Sequence, residues 1–492
     1  MGTFLSCLSK LEGSSTEDLS PQQSQFLNAL STSHIRGKIR KIGSIDYNID
    51  IIPWNLRCTP KPLAVVYPLN AQEVSTMVKI ATKYSIPVQP RSGGHSFASY
   101  SLGGKDGALV IDLGKMNTVV VNQTTWRATI GGGARLEEVT NGLYDQGKRT
   151  IAHGICPQVG IGGHATVGGQ GPLSRMYGLT LDHVVEMEVV LADGTITKTD
   201  KETNSDLFFA LRGAGASFGI VTSFTFETHP VPEAVTHYSF QLTYGTHTEL
   251  ADIFIKWQDF VSSPIVANDR SFNSLINITS SIILIQGSRL GPKKELEASE
   301  IFVSLKKAFN VDIKTHELDW LGAVLNWTVV AVESLAGSLT IPLYMKSLCV
   351  RQSKLLTPGT VRAWFEYMHT NSPKDALWVI IGAINIKFGF VKKVPYDRYL
   401  TGDLQGGRIS DFPLDSTAYS LRDSMTETLV PLIPNTLWPK QYWGDNYPRL
   451  LDIKKKYDPT NTFSNPQSVG ANLRLPPKPA FRVKDSKPVL NL

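Results

Sequence analysis

Pro90-Arg91-Ser92-Gly93-Gly94-His95-Ser96 is the stretch around which the rest of the chain can be organised. Before it, Ile86-Pro87-Val88 is a short apolar run of the kind that forms a buried strand. After it the chain stays loop-like through Tyr100-Ser101-Leu102-Gly103-Gly104, then resumes as the strand-like Ala108-Leu109-Val110-Ile111-Asp112-Leu113. Two adjacent glycines let backbone N–H groups turn toward an anion at close range, because no Cβ blocks the approach. Arg91 supplies fixed positive charge beside that cradle. His95 follows the glycines directly, so its imidazole is expected beside whatever they bind. In isolation such a triplet is more often a turn followed by a surface histidine, and the rest of the chain has to decide.

Upstream, Lys61-Pro62-Leu63-Ala64-Val65-Val66-Tyr67-Pro68 reads as a strand, and Asn70 as the N-cap of a helix with Glu73 three residues on. That helix runs to about Tyr84 and buries Val74, Met77, Val78 and Ala81. Residues 1–58 read as an N-terminal arm with a short helix over 22–30. Downstream, 118–121 and 127–130 form a hairpin, and a helix over 136–146 follows Gly131-Gly132-Gly133. Residues 153–172 hold so many glycines that no regular helix or strand is expected there. Backbone pressed against a ligand or a neighbouring segment is expected instead. Strands over 184–191, 196–199 and 220–226 and a capped helix over 204–213 complete this part, and Pro230-Val231-Pro232 marks a boundary. Beyond it glycines thin out, and antiparallel strands (237–242, 275–287) alternate with helices (250–260, 295–309). A capped helix that starts near Tyr442–Leu450 and runs to about Lys456, and the tail after it, are expected to return to the first domain.

Composition is that of an ordinary globular protein: 492 residues, 42% hydrophobic and 19% charged, enough for two domains with substantial cores. The formal charge of +6 is small for this length, and no basic block marks a nucleic-acid surface. Lys454-Lys455-Lys456, the densest run, reads as a solvated helix face. No apolar run approaches a membrane span, and no metal-ligand spacing stands out. Four cysteines are too few for a disulfide scaffold, although Cys7 could pair in an oxidising compartment. The start, Met1-Gly2-Thr3-Phe4-Leu5-Ser6, lacks the layout of a secretory leader and fits a short acylation pattern. An intracellular protein is expected, a secreted one being the alternative if a leader precedes this chain. The sequons at Asn122, Asn277 and Asn326 decide nothing.

Taken together, the motifs carry a resemblance. Arg91-Ser92-Gly93-Gly94-His95-Ser96, Cys156-Pro157-x-Val159-Gly160-x-Gly162-Gly163-His164, Leu173-Ser174-Arg175-x-Tyr177-Gly178-Leu179, Asp206 to Gly213, Ser217-Phe218-Gly219-Ile220-Val221 and Tyr457-Asp458-Pro459 through Gln467-Ser468 keep order and spacing. In these the chain resembles the berberine-bridge-enzyme-like flavoproteins of the vanillyl-alcohol-oxidase superfamily, and within them the fungal oligosaccharide oxidases. The resemblance implies an α+β fold: a two-lobed FAD-binding domain of the PCMH type over 59–232, a substrate domain over 233–439 with a mixed antiparallel sheet and helices on one face, and a segment over 440–492 returning to the first. It implies FAD held bicovalently through His95 and Cys156. Arg91, Ser92, Gly93, Gly94, Ser96, Gly160, Gly162, Gly163, Gly219, Ile220, Val221, Asn465 and Gln467 would line the cofactor. Imidazole and thiolate are the nucleophiles at hand near neutral pH for an electron-poor ring.

One departure bears on the substrate. The oligosaccharide oxidases usually carry a tyrosine base shortly before the final Arg-Leu helix, and no tyrosine lies between Ser420 and Gln441 here. Asp403 and Tyr419 are the replacement candidates. The expected function is an FAD-dependent oxidase that passes hydride from a substrate C–H to flavin N5, O2 taking the electrons to give H2O2. Its substrate is expected to be a small, fairly hydrophobic biosynthetic metabolite. The alternatives are an oligosaccharide oxidase forming a lactone and an inactive flavin-binding module. Small molecule and O2 are the partners, with no nucleic acid and no membrane span.

Overall fold

The computed structural model describes residues 19–56, 58–278, 282–334, 343–349, 355–371, 376–381, 385–392, 399–403, 407–420 and 438–471. The acylation pattern, Cys7 and the apolar stretch 430–437 lie outside the described residues, as do the side chains of Cys349 and Asp403.

Strands β1 (Lys38–Lys41), β2 (Ala64–Tyr67), β3 (Val88–Arg91) and β4 (Leu109–Asp112) make a four-stranded sheet in the order β1-β2-β4-β3. Asn70 caps the helix Ala71–Lys83 as its sequence requires, Oδ1 accepting the Glu73 N–H at 2.9 Å. The apolar face of that helix, Val74, Met77, Val78 and Ala81, is fully buried. Part of the expected arm belongs to this layer. Helix Pro21–Ser31 opens on a Ser20–Gln23 capping box and packs Phe26 and Leu30 into the same core, and β1 is the sheet's edge. Lys-Ile-Arg-Lys carries no apolar alternation, because an edge strand needs none.

A second, antiparallel sheet follows. It uses β5 (Val119–Val121) and β6 (Arg127–Gly131), then, after the short β7 (Arg149–Thr150), β8 (Val184–Val190), β9 (Ile196–Asp200) and β10 (Ile220–Glu227), in the order β5-β6-β10-β8-β9. Strand β11 (His229–Pro230) pairs with β7. Leu450, Ile453 and Val469 share a core with Leu207, Phe209 and Leu211, so the C-terminal helix Tyr447–Tyr457 and the turn after it are built into this lobe.

The third sheet has eight strands: β12 (Val235–Thr243), β13 (Leu275–Ile278), β14 (Ile282–Leu290), β15 (Lys314–Leu318), β16 (Leu343–Cys349), β17 (Ala376–Ile381), β18 (Asn385–Lys392) and β19 (Tyr399–Asp403). It is mixed because β17 and β19 run parallel. Tyr238, Phe240, Ile276 and Ile285 on one face pack against Phe254 and Trp257 of helix His247–Ser262, Leu305 of Glu300–Phe309 and Phe365 of Pro358–Asn371. On the other, Val235 meets Trp320, Ala323 and Trp327 of helix Trp320–Ser334, which also touch Ala152 and Leu173 of the first lobe. Residues 275–287 form two strands rather than one. Residues 295–309 form two helices, broken where Ser299 caps the second by accepting the Phe302 N–H.

Between the lobes runs one buried side chain. Arg175 donates from Nε to the Phe272 carbonyl (2.8 Å) and from Nη2 to those of Val266 (2.9 Å) and Asp269 (3.0 Å). Next to it, Arg270 grips both carboxylate oxygens of Asp411 at 2.8 and 2.9 Å.

Candidate functional site

The two glycine loops meet backbone to backbone. A Cβ on Gly93 would collide with the amide nitrogen of Gly160, and one on Gly160 with that of Gly93. Ser92 rivets the contact: its Oγ donates to the Gly132 carbonyl (2.7 Å) and accepts the Gly162 N–H (3.3 Å). Glycine is required here because any side chain would separate the loops. Residues 153–172 do contain one helix, Ile161–Thr166, contrary to expectation. Its Gly162 is tolerated because a Cβ there would strike the Gly132 carbonyl, whereas a Cβ on Gly163 would meet nothing within 4 Å. Gly94 sits at φ +77°, and only Arg91 Cδ, at 3.8 Å, faces its missing Cβ.

Beside the junction lies a cleft of about 400 Å³ lined by Asp50, Trp54, Tyr67, Arg91–His95, Asp112, Lys115 and Arg135, among others. His95 lines it half-buried. Burial, helped by the Arg135 guanidinium, lowers its pKa from 6.5 to about 4, so the imidazole is neutral at neutral pH. Cys156 is half-buried and unpaired, and burial raises its thiol pKa although N–H groups of Gln158 and Val159 oppose the shift. Arg91 differs from expectation. It pairs with Asp112 and donates to the Asp50 carbonyl (2.7 Å) and Tyr67 Oη (3.2 Å), so its charge is matched by a carboxylate rather than held for an anion. Lys115 and Arg135 are the further cations on the cleft wall, and Arg135 also bonds to Gln158 of the Cys156 loop.

The other expected residues are spread more widely. Ser96 Oγ accepts the Tyr100 N–H and shapes its own loop. Gly219 packs on Val189, and the side chains of Ile220 and Val221 are core, so of these three only backbone could address a ligand. Asn465 bonds to Gln89 (3.2 Å) and to the Gln467 N–H (2.8 Å), and neighbouring Pro466 abuts Gly104. Asp403 ends β19 opposite Leu275. The Tyr419 ring lies against Gly168 and packs with Leu179, Leu181 and Ile409. Trp54, Tyr67, Lys115 and Arg135 were missed. Arg135 was findable as a cation closing a triple-glycine turn; Trp54 carried no sequence signal.

Around the Cys156 loop sit four histidines with assignable tautomers. His164 Nε2 accepts the Gly154 N–H (2.9 Å), while His153 Nδ1 lies 2.7 Å from the Gly154 carbonyl and donates to it. His183 Nε2 accepts the Ala152 N–H (3.4 Å) and its Nδ1–H faces His229 Nε2 (3.2 Å). Burial depresses the pKa of all four, His164 and His183 to about 3. They are neutral hydrogen-bond fixtures. Among the described residues no cluster of His, Cys, Asp and Glu could hold a metal, and no helix is long and apolar enough to cross a membrane.

Two glycine loops thus meet beside a cleft, with a histidine on one, a cysteine on the other and a further sheet domain alongside, and the comparisons assign this arrangement to flavin-dependent enzymes. Residues 62–200 match the FAD binding domain family and residues 408–470 the berberine and berberine-like family. The chain is 34% identical to FAD-linked oxidoreductase dpmaF of Metarhizium anisopliae, over 93% of this chain and 94% of that one. It is 30% identical to a chitooligosaccharide oxidase of Gibberella zeae, over 87% and 91%. The solved glucooligosaccharide oxidase of Acremonium strictum, described with a 6-S-cysteinyl, 8α-N1-histidyl FAD, superposes with a TM-score of 0.76 at 26% identity, over 92% of this chain and 99% of that one. The chain belongs to the berberine-bridge-like FAD-linked oxidoreductases. Open space opposite Gly163, the positive φ of Gly94 and the neutral His95 on the cleft wall fit a bound FAD.

Proposed function

We propose that this enzyme is an oxidase that holds FAD through both His95 and Cys156 and acts on a small hydrophobic metabolite. The observation that carries the reading is the Gly93–Gly160 junction, which joins the two attachment loops into one wall. Bound FAD would supply the hydride acceptor, with O2 as final oxidant. The residues of this chain have simpler tasks. Gly94 and Gly163 admit the cofactor by offering backbone without side chains, while Gly162 lets its helix pack on Gly132. Lys115 and Arg135 bring positive charge for its phosphates. Asp403 or Tyr419 removes the substrate proton.

Two features support an apolar substrate. Helix Trp320–Ser334 is strongly apolar, and its Thr328 hydroxyl reaches the Ile155 carbonyl (3.2 Å) next to Cys156. The tyrosine base of the sugar oxidases has no counterpart between Ser420 and Gln441. The second reading, oxidation of an oligosaccharide, is favoured by the Gibberella relative. Acid precipitation tests the attachment: flavin stays with the wild-type pellet and with each of His95→Ala and Cys156→Ala, and leaves the double variant. A colourless wild-type pellet would overturn bicovalent attachment. Anaerobic flavin bleaching against cello-, chito- and xylo-oligosaccharides and a panel of apolar alcohols and amines decides the substrate, and rapid bleaching by a sugar would establish the second reading.

A further inference from the structure

We propose that Trp54 is the positioning residue that aims His95 at the flavin, held in place by a strap to which Asn55 and Cys58 contribute. The proposal rests on the reading of His95 as an attachment residue. The strap crosses the outside of the loop that carries His95. Asn55 Nδ2 donates to the Phe97 carbonyl at 2.5 Å, and the Ser99 hydroxyl donates to the carbonyls of Cys58 (2.6 Å) and Asn55 (3.3 Å). Ser99 is held at φ +56°, a left-handed conformation that a serine adopts only when its surroundings fix it. The Trp54 indole stands edge-on to Phe97, with centroids 4.6 Å apart, and lies 5.6 Å from the His95 imidazole with the planes at 35°.

The physical argument is one of aim. His95 follows two glycines and lies in no helix or strand, so its direction is set by what its ring touches. On the inner side Gly93 is pinned to Gly160, and on the outer side the imidazole leans on a large flat ring that loses little entropy on being fixed. Attachment forms one bond from an imidazole nitrogen to the flavin methyl carbon. Imidazole and methyl each give up one hydrogen, and the two electrons and two protons end on O2 as H2O2. That step needs an unprotonated nitrogen pointed at carbon, and a misplacement of about 1 Å can cost about 100-fold in rate. The depressed pKa of His95, set by burial and the Arg135 guanidinium, keeps that nitrogen unprotonated near neutral pH.

The test reads covalent flavin rather than turnover. Trp54→Ala, Trp54→Leu and Trp54→Phe are made in a Cys156→Ala background, so that His95 is the one attachment left. Protein from matched, timed expressions is assayed for total flavin by absorbance and for the fraction surviving acid precipitation. The expected result is a fall of about fivefold or more, for Ala and Leu, in the acid-stable fraction of whatever flavin is bound, with rescue by Phe. An undiminished acid-stable fraction in Trp54→Ala, or in Trp54→Leu should the alanine variant not fold, would overturn the proposal. So would equal loss in the Phe and Ala variants, which would mark Trp54 as packing alone. If the Cys156→Ala parent itself releases all its flavin, His95 forms no bond and the underlying reading falls too, an outcome visible before Trp54 is changed.

Discussion

Lys454 Nζ lies 2.6 Å from Asp458 Oδ2, and both side chains are buried, 1% and 0% exposed. The ammonium also donates to the carbonyls of Ser217 and Phe463, while the carboxylate accepts the N–H groups of Thr462 and Phe463. The expectation of a solvated lysine run therefore holds for Lys455 and Lys456 and fails for Lys454, whose pair ties the C-terminal turn to the loop before β10. Lys454→Met leaves a buried carboxylate without its cation and should cost about 3–5 kcal/mol. Lys454→Met/Asp458→Asn should recover part of that. Urea titration with an unchanged m-value checks both; equal stabilities of the single variant and the wild type would refute the argument.

The two kinds of loop glycine should behave oppositely. Gly160→Ala drives a methyl into Gly93 and Ser92 and should lower Tm and flavin content together. Gly163→Ala meets open space within the helix Ile161–Thr166, where alanine gains about 1 kcal/mol over glycine. Gly163→Val should keep the fold and still lose the cofactor, because its branched side chain fills the space FAD needs. Thermal melts beside flavin absorbance separate the cases. Normal flavin in Gly163→Val would put the cofactor on another side of that loop.

Acid should destabilise the fold earlier than carboxylate titration requires. His95 and His237 have pKa values lowered to about 4, His164 and His183 to about 3, and His153 and His229 are also lowered, burial being the main cause in each. Below 6.5 the unfolded chain takes up protons that the folded chain refuses. The stability these groups contribute is thus complete above 6.5 and is lost as pH falls toward the folded values. Each group adds at most about 1.4 kcal/mol per pH unit to the slope. Calorimetry from pH 7 to 4 should show Tm falling throughout, and His183→Asn should flatten the curve; a flat wild-type profile would exclude the linkage.

For the base, Asp403→Asn and Tyr419→Phe should be compared by stopped flow with a substrate found in the bleaching panel. The variant that removes the base should slow flavin reduction about 10²–10⁴-fold with FAD still bound. The other should change it little. If neither slows, the proton acceptor lies elsewhere.

What the sequence disclosed was local in the chain. The Asn70 cap, the helix it starts and the two glycine loops each signal themselves within a dozen residues, and their chemistry follows from backbone without side chains beside a histidine or a cysteine. What stayed hidden was paired across distance. Arg91 is neutralised by Asp112 on the neighbouring strand, Trp54 acts on a loop 40 residues on, and Lys454 is buried only because Asp458 and two carbonyls surround it. Ile220 and Val221 matched a motif, yet the pleat of β10 turns their side chains to opposite faces, each into its own core. Any contact this motif makes with a ligand has to come from its backbone.

The seam held by Arg175 has a consequence for how such an enzyme can diversify. Arg175 donates to the carbonyls of Val266, Asp269 and Phe272, a group every residue type offers, and the Asp269 carboxylate adds charge attraction. Those carbonyl bonds set no condition on the side chains that bear them, whereas the charge attraction asks for a carboxylate at Asp269. Side chains bearing those carbonyls can change while the bonds stay, so this part of the joint outlasts variation on the substrate-lobe loop. A chimera that swaps the lobes should be cut outside residues 266–272 and should keep an acidic residue at Asp269.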